Sequence, residues 1–493
     1  MNTKSELDRI VADWLEVRVA DPPHGSLATA LVRVDETAQQ HHWWQRWWDR
    51  RRPGASADEH RLVLSSGAAV AGVVVLAVVA TLSLQPGTTE PVVPVLPPSS
   101  GATWSVALEG GDFDSIGEAV AVAQDGDTIL VEPGTYEEAF VVDKDVTIEG
   151  TGSLPSYVTI QVPADAPGPV ASLAPDHRRS DAFQLPASPP VGIQLLDTEA
   201  VVRNLHVVGH DDGISVLVLG GAPTLERVTL RHEGEPLLQL SLAAALYIED
   251  GAAVTIHDAD LRQRIRIGGG STPTISDSAL SSVSLTVQDG STLTLTGSSL
   301  AGQCGCADVA VVGGSDASFT DNTISEAVID VRGDVLEDGS SDGTSARFEG
   351  HRFNFNEFET IVVTDSASAT IKDNDFTGNN QGVSVVEAAA DIRENAFHGN
   401  WNGMTLRDAE ATVADNLIRG GSIGISVISG GSPVITANTV EDARSRGIVV
   451  ADGTSPLIEG NTICGSPVNV YVASGADPVI RGNDICPDRA TDT

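Results

Sequence analysis

The amino-acid sequence predicts an all-β protein, a parallel solenoid whose coils are about 22 residues long. One phrase, hydrophobic-x-x-Asn-x-hydrophobic, returns at steps of 21, 21, 22, 23 and 22 residues, and a second phrase, Gly-Val/Ile-x-Val, lies between its copies at 382–385, 424–427 and 447–450. Each unit holds short alternating runs parted by Gly, Asn or Asp, without the period of a helix. Self-similarity of this length indicates stacked coils. The recurring asparagines are Asn374, Asn395, Asn416, Asn438, Asn461 and Asn483.

We expect these asparagines to turn the chain at one corner of every coil. A corner without extra residues requires a left-handed backbone, which Asn tolerates, and its amide can bond the Asn of the next coil. The Ile, Val, Phe and Leu residues that alternate beside it then point inward and stack about 4.8 Å apart, the spacing of paired strands. The pattern therefore predicts a structural asparagine ladder beside a continuous apolar core.

The recurring phrase resembles the right-handed parallel β-helix (pectin-lyase-like) superfamily, in the branch of carbohydrate-binding and sugar-hydrolase repeats. The resemblance implies a right-handed solenoid. Further copies, such as the one at 317–324, extend the array to about a dozen coils, which corresponds to a rod roughly 60 Å long. The resemblance implies no single activity, because the superfamily contains lyases, hydrolases, esterases, epimerases, adhesins and non-enzymatic surface proteins.

The chain is strongly acidic, with a formal net charge of −39. Residues 86–493 carry 20 basic and 58 acidic side chains, which gives −38, whereas residues 1–85 carry 9 and 10, which gives −1. This balance argues against nucleic acid and anionic lipid as partners of the repeats and favours a well-solvated surface.

The amino-terminal residues 1–61 are predicted to be a helical cytoplasmic segment. Apolar residues recur at helical spacing in 4–20, and a second helical run occupies 27–40. Four tryptophans then share one helical face beside arginines, which favours an amphipathic segment lying among lipid headgroups. A small packed helical cap is the alternative. The tryptophans are Trp43, Trp44, Trp47 and Trp48.

Residues 62–84 are predicted to form a transmembrane helix, because these 23 residues include no charged side chain and are long enough to span a bilayer. Arginines at 50–52 and at Arg61 precede it, so the positive-inside rule places the amino terminus in the cytoplasm and the repeats outside. The span lies too far from residue 1 for a secretory signal peptide, which indicates a signal-anchor. Residues 85–100 are a Pro-rich linker that holds the next domain off the membrane.

The β-helix domain is predicted to occupy 101–493 and to begin with a short helix. Residues 112–124 carry an apolar stripe, and Ser115 with Glu118 fits a capping box. This helix and the stretch 126–136 resemble the opening of many β-helix proteins, in which a helix plugs the end of the hydrophobic cylinder. Two insertions, 163–190 and 333–345, are predicted to be loops.

All four cysteines lie in the region placed outside the cell. Cys464 and Cys486 each follow the Asn-x-Ile phrase, so they occupy the same place in adjacent coils, at a spacing that a disulfide accepts. We predict a Cys464–Cys486 bond that pins the last coils. Cys304 and Cys306 leave several alternatives open: a strained local disulfide, free thiols, or a metal or redox pair.

The position before the ladder asparagine is acidic on consecutive coils, at Asp373, Glu394 and Asp415, and again at Asp321. Like charges at strand spacing repel unless a cation or a raised pKa relieves them, so a Ca²⁺ site is one hypothesis. Solvated turn carboxylates that cap nearby backbone amides are the favoured interpretation. No other cofactor is expected.

A glycan-binding surface is predicted around Trp401. This residue lies on a turn, with amides on the same and the preceding coil and arginines two coils further on, and such a group suits stacking on a sugar. A tryptophan folded over the rim of the core is the alternative. The candidate ligand-binding residues are Trp401, Asn380, Asn400, Arg444 and Arg446.

No catalytic residue is predicted. The sequence His-Asp-Asp-Gly at 210–213 superficially resembles the acidic clusters of polysaccharide hydrolases, but their further motifs are missing. Arg203, Glu226 and His257 align in one outer column, which is weak support for a lyase site. The predicted function is therefore a membrane-anchored surface binding or structural module, for glycans or another envelope component. A carbohydrate-active enzyme of the lyase, hydrolase or epimerase type is the alternative, and a signal-transmitting receptor is a third idea.

Overall fold

The computed structural model describes residues 101–170, 189–232, 244–302, 308–336 and 340–488. The predicted cytoplasmic segment 1–61, membrane span 62–84 and linker 85–100 lie outside these ranges, as do Cys304 and Cys306. Within the described ranges, no helix combines the length and the apolar character needed to cross a membrane.

The described chain is an all-β parallel solenoid, which confirms that part of the predicted fold class. Every coil contributes a strand to a 16-stranded sheet, the first face, in which all pairings are parallel and in register. The rod therefore has more coils than the dozen expected. The strands of the first face are β1 (Thr103–Val106), β2 (Thr128–Val131), β5 (Thr147–Gly150), β8 (Val201–Arg203), β11 (Thr224–Glu226), β14 (Thr255–His257), β16 (Thr274–Ser276), β18 (Thr292–Thr296), β21 (Asp316–Thr320), β24 (Ser345–Glu349), β27 (Ser368–Lys372), β30 (Ala389–Arg393), β33 (Glu410–Ala414), β36 (Val434–Thr436), β39 (Leu457–Glu459) and β42 (Val479–Arg481).

A second face follows the first-face corner of each coil, which is an asparagine in the last coils, again with parallel pairing. Its strands are β3 (Gly134–Glu137), β6 (Val158–Gln161), β9 (His206–Gly209), β12 (Thr229–His232), β15 (Asp260–Ile267), β17 (Ala279–Val287), β19 (Ser299–Ala301), β22 (Thr323–Ser325), β25 (Arg352–Asn354), β28 (Asp375–Thr377), β31 (Ala396–His398), β34 (Leu417–Arg419), β37 (Thr439–Glu441), β40 (Thr462–Cys464) and β43 (Asp484–Ile485).

A third face completes each coil. The long strands β15 and β17 continue from the second face into the third, so that the two faces form one 27-stranded sheet. The other strands of the third face are β4 (Phe140–Val142), β7 (Val191–Leu196), β10 (Ile214–Leu219), β13 (Ala244–Glu249), β20 (Val309–Val312), β23 (Ile329–Arg332), β26 (Glu359–Thr364), β29 (Gln381–Val386), β32 (Asn402–Arg407), β35 (Ile423–Ile428), β38 (Arg446–Val450) and β41 (Val468–Val472).

The alternating apolar residues of all three faces point into one core, as the period of two predicts. Equivalent side chains of successive coils contact each other because the strands pair in register, apart from a shift between Arg262 and Arg264 where β15 pairs with β17. The rings of Phe353 and Phe376 stack at 4.6 Å, and so do those of Phe376 and Phe397. Such a column of fully buried aromatic rings stabilises the stack through both apolar burial and ring packing.

The opening helix α1 (Ile116–Val122) is shorter than the predicted 112–124. The hydroxyl of Ser115 accepts a hydrogen bond from the amide of Glu118 (3.2 Å), which is one half of the predicted capping box. The other amides at this end are held by Glu138 from the next strand region, at 2.9 Å to Ile116 and 3.0 Å to Gly117. Lys144 donates to three carbonyl groups at the opposite end. Tertiary contacts therefore set both ends of this helix.

The asparagine ladder is continuous, but its backbone geometry differs from the expectation. The left-handed residue is the one before each asparagine, for example Asp373 with a φ of 56° and Glu394 with a φ of 57°. The asparagine itself turns inward and is almost fully buried in every coil except the last, where Asn483 is half-buried. The sequence did contain a signal for this geometry. In the last two coils the residue before the asparagine is a glycine, Gly460 or Gly482, and glycine adopts the left-handed conformation without strain.

Each ladder amide bonds three coils at once. The Oδ1 atom of Asn395 accepts hydrogen bonds from the backbone amide (3.0 Å) and the Nδ2 atom (2.9 Å) of Asn374. Its Nδ2 atom donates to the carbonyl groups of Ile371 and Arg393, both at 2.8 Å, and to Asn416 at 2.9 Å. A buried corner that has no strand pairing of its own is thus fully hydrogen-bonded.

The ladder extends towards the amino terminus with other residue types. Ser278 and Ser298 occupy the same position on earlier coils, followed by Asn322 and His351. The Nδ1 atom of His351 accepts from the amide of Asn322 (2.9 Å), and its own amide donates to the Oδ1 atom of Asn374 (2.9 Å). The histidine ring therefore replaces an asparagine amide in the ladder.

The last coils are joined by a disulfide bond between Cys464 and Cys486, whose Cα atoms lie 4.9 Å apart. Cys464 ends β40 and Cys486 follows β43, so the bond links neighbouring coils at equivalent positions. The final strands are otherwise poorly covered, since Val479, Ile480 and Ile485 are exposed. The bond constrains the coil that has a neighbour on one side only.

Candidate functional site

A second, shorter asparagine ladder builds the corner between the second and the third face. The backbone amide of Asn356 donates to the Oδ1 atom of Asn379 (3.0 Å), and the backbone amide of Asn379 donates to the Oδ1 atom of Asn400 (2.9 Å). All three side chains are buried. The residue that follows each of them is exposed, and these residues, Glu357, Asn380 and Trp401, form a row along the rod.

This row is held by backbone hydrogen bonds between coils. The amide of Asn380 donates to the carbonyl of Asn356 (2.8 Å), and the amide of Trp401 donates to the carbonyl of Asn379 (2.9 Å). Arg444 continues the row, with its amide bonded to the carbonyl of Gly421 (2.8 Å). Rigid strands on both sides position these exposed side chains, an arrangement in which binding residues are common.

The row borders a groove of about 600 Å³, here called the corner groove. Three glycines line it, Gly378, Gly399 and Gly421. A Cβ atom on Gly421 would lie 1.8 Å from the carbonyl oxygen of Asn400, so only glycine fits there. The ring of Phe355 lies over Gly378, where a Cβ atom would be 2.9 Å from the ring. The groove is lined by Phe355, Asn356, Glu357, Gly378, Asn379, Asn380, Gly399, Trp401, Gly421 and Arg444.

Large aromatic side chains at this corner are unusually exposed. Phe355 is 70% exposed, Phe358 52% and Trp401 53%. Most aromatic side chains of the coils are buried in the core, whereas Phe355 and Phe358 on one coil and Trp401 two coils further on expose their rings on a very acidic surface. Exposed rings bordered by amides and a guanidinium group can stack on a flat, partly apolar ligand and bond its polar edge.

A second groove of about 400 Å³, here called the strand-face groove, lies directly beside the corner groove on the third face. The two adjoin because Asn380 and Gln381, and likewise Trp401 and Asn402, are consecutive residues. The strand-face groove is lined by Glu359, Gln381, Ser384, Val386, Asn402, Thr405, Arg407, Ile423, Ser426 and Ile428.

Among the residues that line the strand-face groove, Glu359 has a pKa that its environment shifts. Burial raises the pKa of Glu359 above its ordinary value, and the charge of Asp330 raises it further. A hydrogen bond with Ser384 and the charge of Arg407 oppose this rise. The residue still has exposed surface, so its carboxyl group remains accessible from the groove.

The predicted glycan-binding residues separate into three groups in the structure. Trp401, Asn380 and Arg444 line the corner groove together. Asn400 is only 3% exposed, and its Nδ2 atom donates to the carbonyl of Phe376 (2.7 Å), so it belongs to the buried ladder. Arg446 lies on the third face, where its guanidinium group is 4.5 Å from the centre of the Tyr471 ring.

Sequence reasoning missed Phe355, Phe358, Glu357 and the whole strand-face groove. A signal was present in the run at 353–359, where three phenylalanines occur in one coil although the core has room for one ring per coil at that position. A period of two would place Phe355 on the same side as Phe353, but β25 ends at Asn354 and Phe355 adopts a left-handed φ of 53°, which turns its ring outward.

The acidic column at Asp373, Glu394 and Asp415 occupies the left-handed corner position. Lys372 lies 3.6 Å from the carboxylate of Glu394. Among the residues that the structure describes, no group of three His, Cys, Asp or Glu side chains could hold a metal ion. The column carries no argument for calcium.

The other sequence candidates form local surface contacts. Glu149, Arg203, Glu226 and His257 are in register on the first face, as the predicted column requires. Arg203 pairs with Glu149 at 2.5 Å, and His257 lies 3.7 Å from Glu226. In the turn at 210–213, the amide of Asp212 donates to the Nδ1 atom of His210 at 3.5 Å.

Comparison with known proteins gives one family match. Residues 335–485 match the family model described as "Right handed beta helix region". A search of curated proteins finds no match.

Several solved structures are distantly similar to this chain. Tailspike protein 3 of bacteriophage CBA120 is 12% identical, with a TM-score of 0.47 and coverage of 75% of this chain and 58% of that one. The A-module of the Azotobacter vinelandii mannuronan C-5 epimerase AlgE6 is 13% identical, with a TM-score of 0.37 and coverage of 76% and 94%. The catalytic unit of an α-1,3-glucanase from Streptomyces thermodiastaticus is 10% identical, with a TM-score of 0.35 and coverage of 79% and 69%. At these values the similarity carries no functional argument. The family match agrees with the parallel coils of residues 335–485, which are similar to a right-handed β-helix region.

Proposed function

We propose that the chain is a membrane-anchored, extracytoplasmic β-helix protein whose corner groove binds a glycan without cleaving it. The observation that carries this proposal is the pair of exposed rings, Phe355 and Trp401, that line the corner groove together with Asn380 and Arg444. Exposing two large rings to water in one groove is unfavourable unless a ligand covers them. A sugar suits such a surface, since its ring face is apolar and its edge carries hydroxyl groups that amides and guanidinium groups can bond.

The groove also has the shape for an extended chain. Its lining residues come from five consecutive coils, between Phe355 and Arg444. With coils about 4.8 Å apart, this row extends about 20 Å along the rod, which is long enough for several sugar residues in a line.

Replacing Trp401 by alanine is expected to weaken glycan binding by about tenfold or more, because the central stacking ring is lost. The test is a glycan-array screen of the full-length protein, followed by affinity measurements on each glycan that binds. Trp401→Phe retains a ring and is expected to keep part of the affinity. Tyr157→Ala is the matched control. Tyr157 is 51% exposed, but it lies on a short 3₁₀ helix (Pro155–Tyr157) that is far from this groove in sequence and in coil order. Unchanged binding by Trp401→Ala would overturn the proposal.

Glu359 supports one alternative, a carbohydrate-active enzyme. A carboxyl group with a raised pKa beside a groove is a candidate general acid. The same binding screen distinguishes the two functions if product release is followed by reducing ends and by unsaturated-uronate absorbance. Binding without turnover supports the proposed function, whereas turnover that Glu359→Gln abolishes supports the enzyme.

The proposed location depends on the apolar residues 62–84, the arginines before them, and the cysteine pair. Disulfide bonds persist in oxidising compartments, outside the cytoplasm. We therefore expect the protein in the membrane fraction, with Cys464 and Cys486 resistant to alkylation until a reductant is added. Recovery in the cytosolic fraction with both thiols alkylated directly would contradict the anchor and the external location.

A further inference from the structure

The strand-face groove has the chemistry of a second sugar site. Ser384, Thr405 and Ser426 are in register on three neighbouring strands and line it with hydroxyl groups. Gln381 and Asn402 add amides, and aliphatic side chains from the same strands add apolar surface. Hydroxyl and amide groups beside small apolar patches match the two kinds of surface that a sugar ring presents.

The charges of this groove largely offset each other. Glu359 and Arg407 both line it, and the attraction of Arg407 for the carboxylate is among the influences on the pKa of Glu359. An acid and a base that face the same groove leave little net charge for a ligand to neutralise. The groove therefore fits an uncharged sugar better than an acidic or a basic one.

One polar atom of the groove lacks a partner. The Oδ1 atom of Asn402 is buried and accepts no hydrogen bond from any residue in the described part of the chain. A buried acceptor without a donor is unfavourable by about 1–3 kcal/mol. A ligand hydroxyl group in the strand-face groove can supply this donor after a small rotation of the side chain.

The two grooves share a wall, and this determines how they can be used together. Gln381 and Asn402 line the strand-face groove, and the residues just before them line the corner groove. Asn380 and Trp401 lie at the corner, and Gln381 and Asn402 begin the strands β29 and β32 that follow it, so the two grooves meet along this line with about 3.3 Å between consecutive residues. A chain lying in the corner groove can therefore place a single-sugar side branch in the strand-face groove.

We infer that the ligand is a neutral branched glycan, whose backbone lies in the corner groove and whose side branch enters the strand-face groove. This inference rests on the proposed function, because it assigns the backbone to the Trp401 surface. It adds a specificity site: the branch, not the backbone, contacts Ser384, Thr405 and Asn402. Linear and branched forms of one backbone should accordingly differ in affinity.

The test uses matched pairs of neutral oligosaccharides, linear mannan with galactomannan and linear glucan with xyloglucan. The wild-type full-length protein is expected to bind the branched member of at least one pair about tenfold more tightly, the gain expected for a few new hydrogen bonds. Thr405→Tyr fills the strand-face groove and is expected to reduce branched binding to the linear level. Trp401→Ala is expected to weaken both members.

Folding of the blocking variant is supported by the chain itself. Tyr471 occupies the same outward column as Thr405, three coils further on. Thr412→Tyr is the matched control. Thr412 lies on β33, the next strand along the chain, which belongs to the first face; its side chain points outward and is likewise half-buried. This control is expected to bind every probe as the wild type does.

The outcomes separate the inference from the proposed function. If Thr405→Tyr keeps the full preference for branched probes, or if linear and branched probes bind equally to the wild type, the inference is wrong and the proposed function stands. If Trp401→Ala binds both probes normally, or if no probe binds the wild type, the proposed function fails and the inference fails with it.

Discussion

Replacing Asn395 by alanine is expected to lower the free energy of unfolding by about 3 kcal/mol, because it removes the side chain that joins three coils. Asn395 accepts two hydrogen bonds from Asn374 and donates to Ile371, Arg393 and Asn416. After truncation, buried amide and carbonyl groups on both sides are left without partners and without access to water. Urea denaturation followed by circular dichroism measures the loss.

The matched control for Asn395 is Asn483→Ala, at the carboxyl end of the same ladder. Asn483 accepts from Asn461 and donates to Ile458, but it is only half-buried, so water can replace what is lost. We expect a decrease of about 1 kcal/mol or less there. Equal losses in the two variants would show that ladder position and burial do not determine the contribution of each asparagine.

Acidification is expected to destabilise the solenoid through His351, the ring that replaces an asparagine in the ladder. The residue is 1% exposed and lies among the rings of Phe348 and Phe353, with centroid distances of 6.2 and 5.5 Å. Burial lowers the pKa of His351 to about 4. Its Nδ1 atom accepts the hydrogen bond from Asn322, which a doubly protonated ring could not do.

The direction of the effect follows from proton binding. Between the unfolded pKa of 6.5 and the folded pKa of about 4, the unfolded chain binds the extra proton and the folded protein does not. The stabilisation is therefore fully present above pH 6.5 and is lost as the pH falls towards 4, by roughly 2–3 kcal/mol at pH 4.5. Unfolding free energies at pH 7.5 and pH 4.5 measure this loss.

The control for the acid effect is His351→Asn, which restores the residue type of the neighbouring coils. His232, whose pKa is also lowered to about 4, and all carboxylates titrate in both proteins, so the difference between the two pH dependences isolates His351. We expect the variant to lose less stability on acidification. Identical pH dependences in wild type and variant would show that His351 is not responsible.

The repeat pattern was sufficient to predict the coils, the inward-facing apolar residues, the asparagine ladder positions and the placing of Cys464 beside Cys486. These features depend on neighbours related by one coil, and the coil length is visible in the sequence as a period. The pattern did not show which residue of the corner is left-handed, because Asp373 and Asn374 are adjacent and both residue types tolerate that conformation.

The candidate site was predicted only in part. Trp401, Asn380 and Arg444 could be found because each stands at the same offset from a recognisable turn, and the structure brings them to one groove. Asn400 could not be excluded, since the sequence does not tell a buried amide from an exposed one at neighbouring turn positions. Burial of Asn400 depends on the second ladder, whose short run at Asn356, Asn379 and Asn400 is hidden among other asparagines. Arg446 could not be excluded because the sequence does not show that the third face begins at this residue.

The sequence alone thus determined the solenoid, because its information repeats every coil and each repeat supports the others. Only the tertiary structure decided where the surface is concave, since a groove arises where side chains of several coils are absent or displaced together. Gly421 and the outward turn of Phe355 open the corner groove, and the register of Ser384 with Thr405 lines the groove beside it. Such local departures from the repeat carry no periodic signal, and they are also where the candidate binding surface lies.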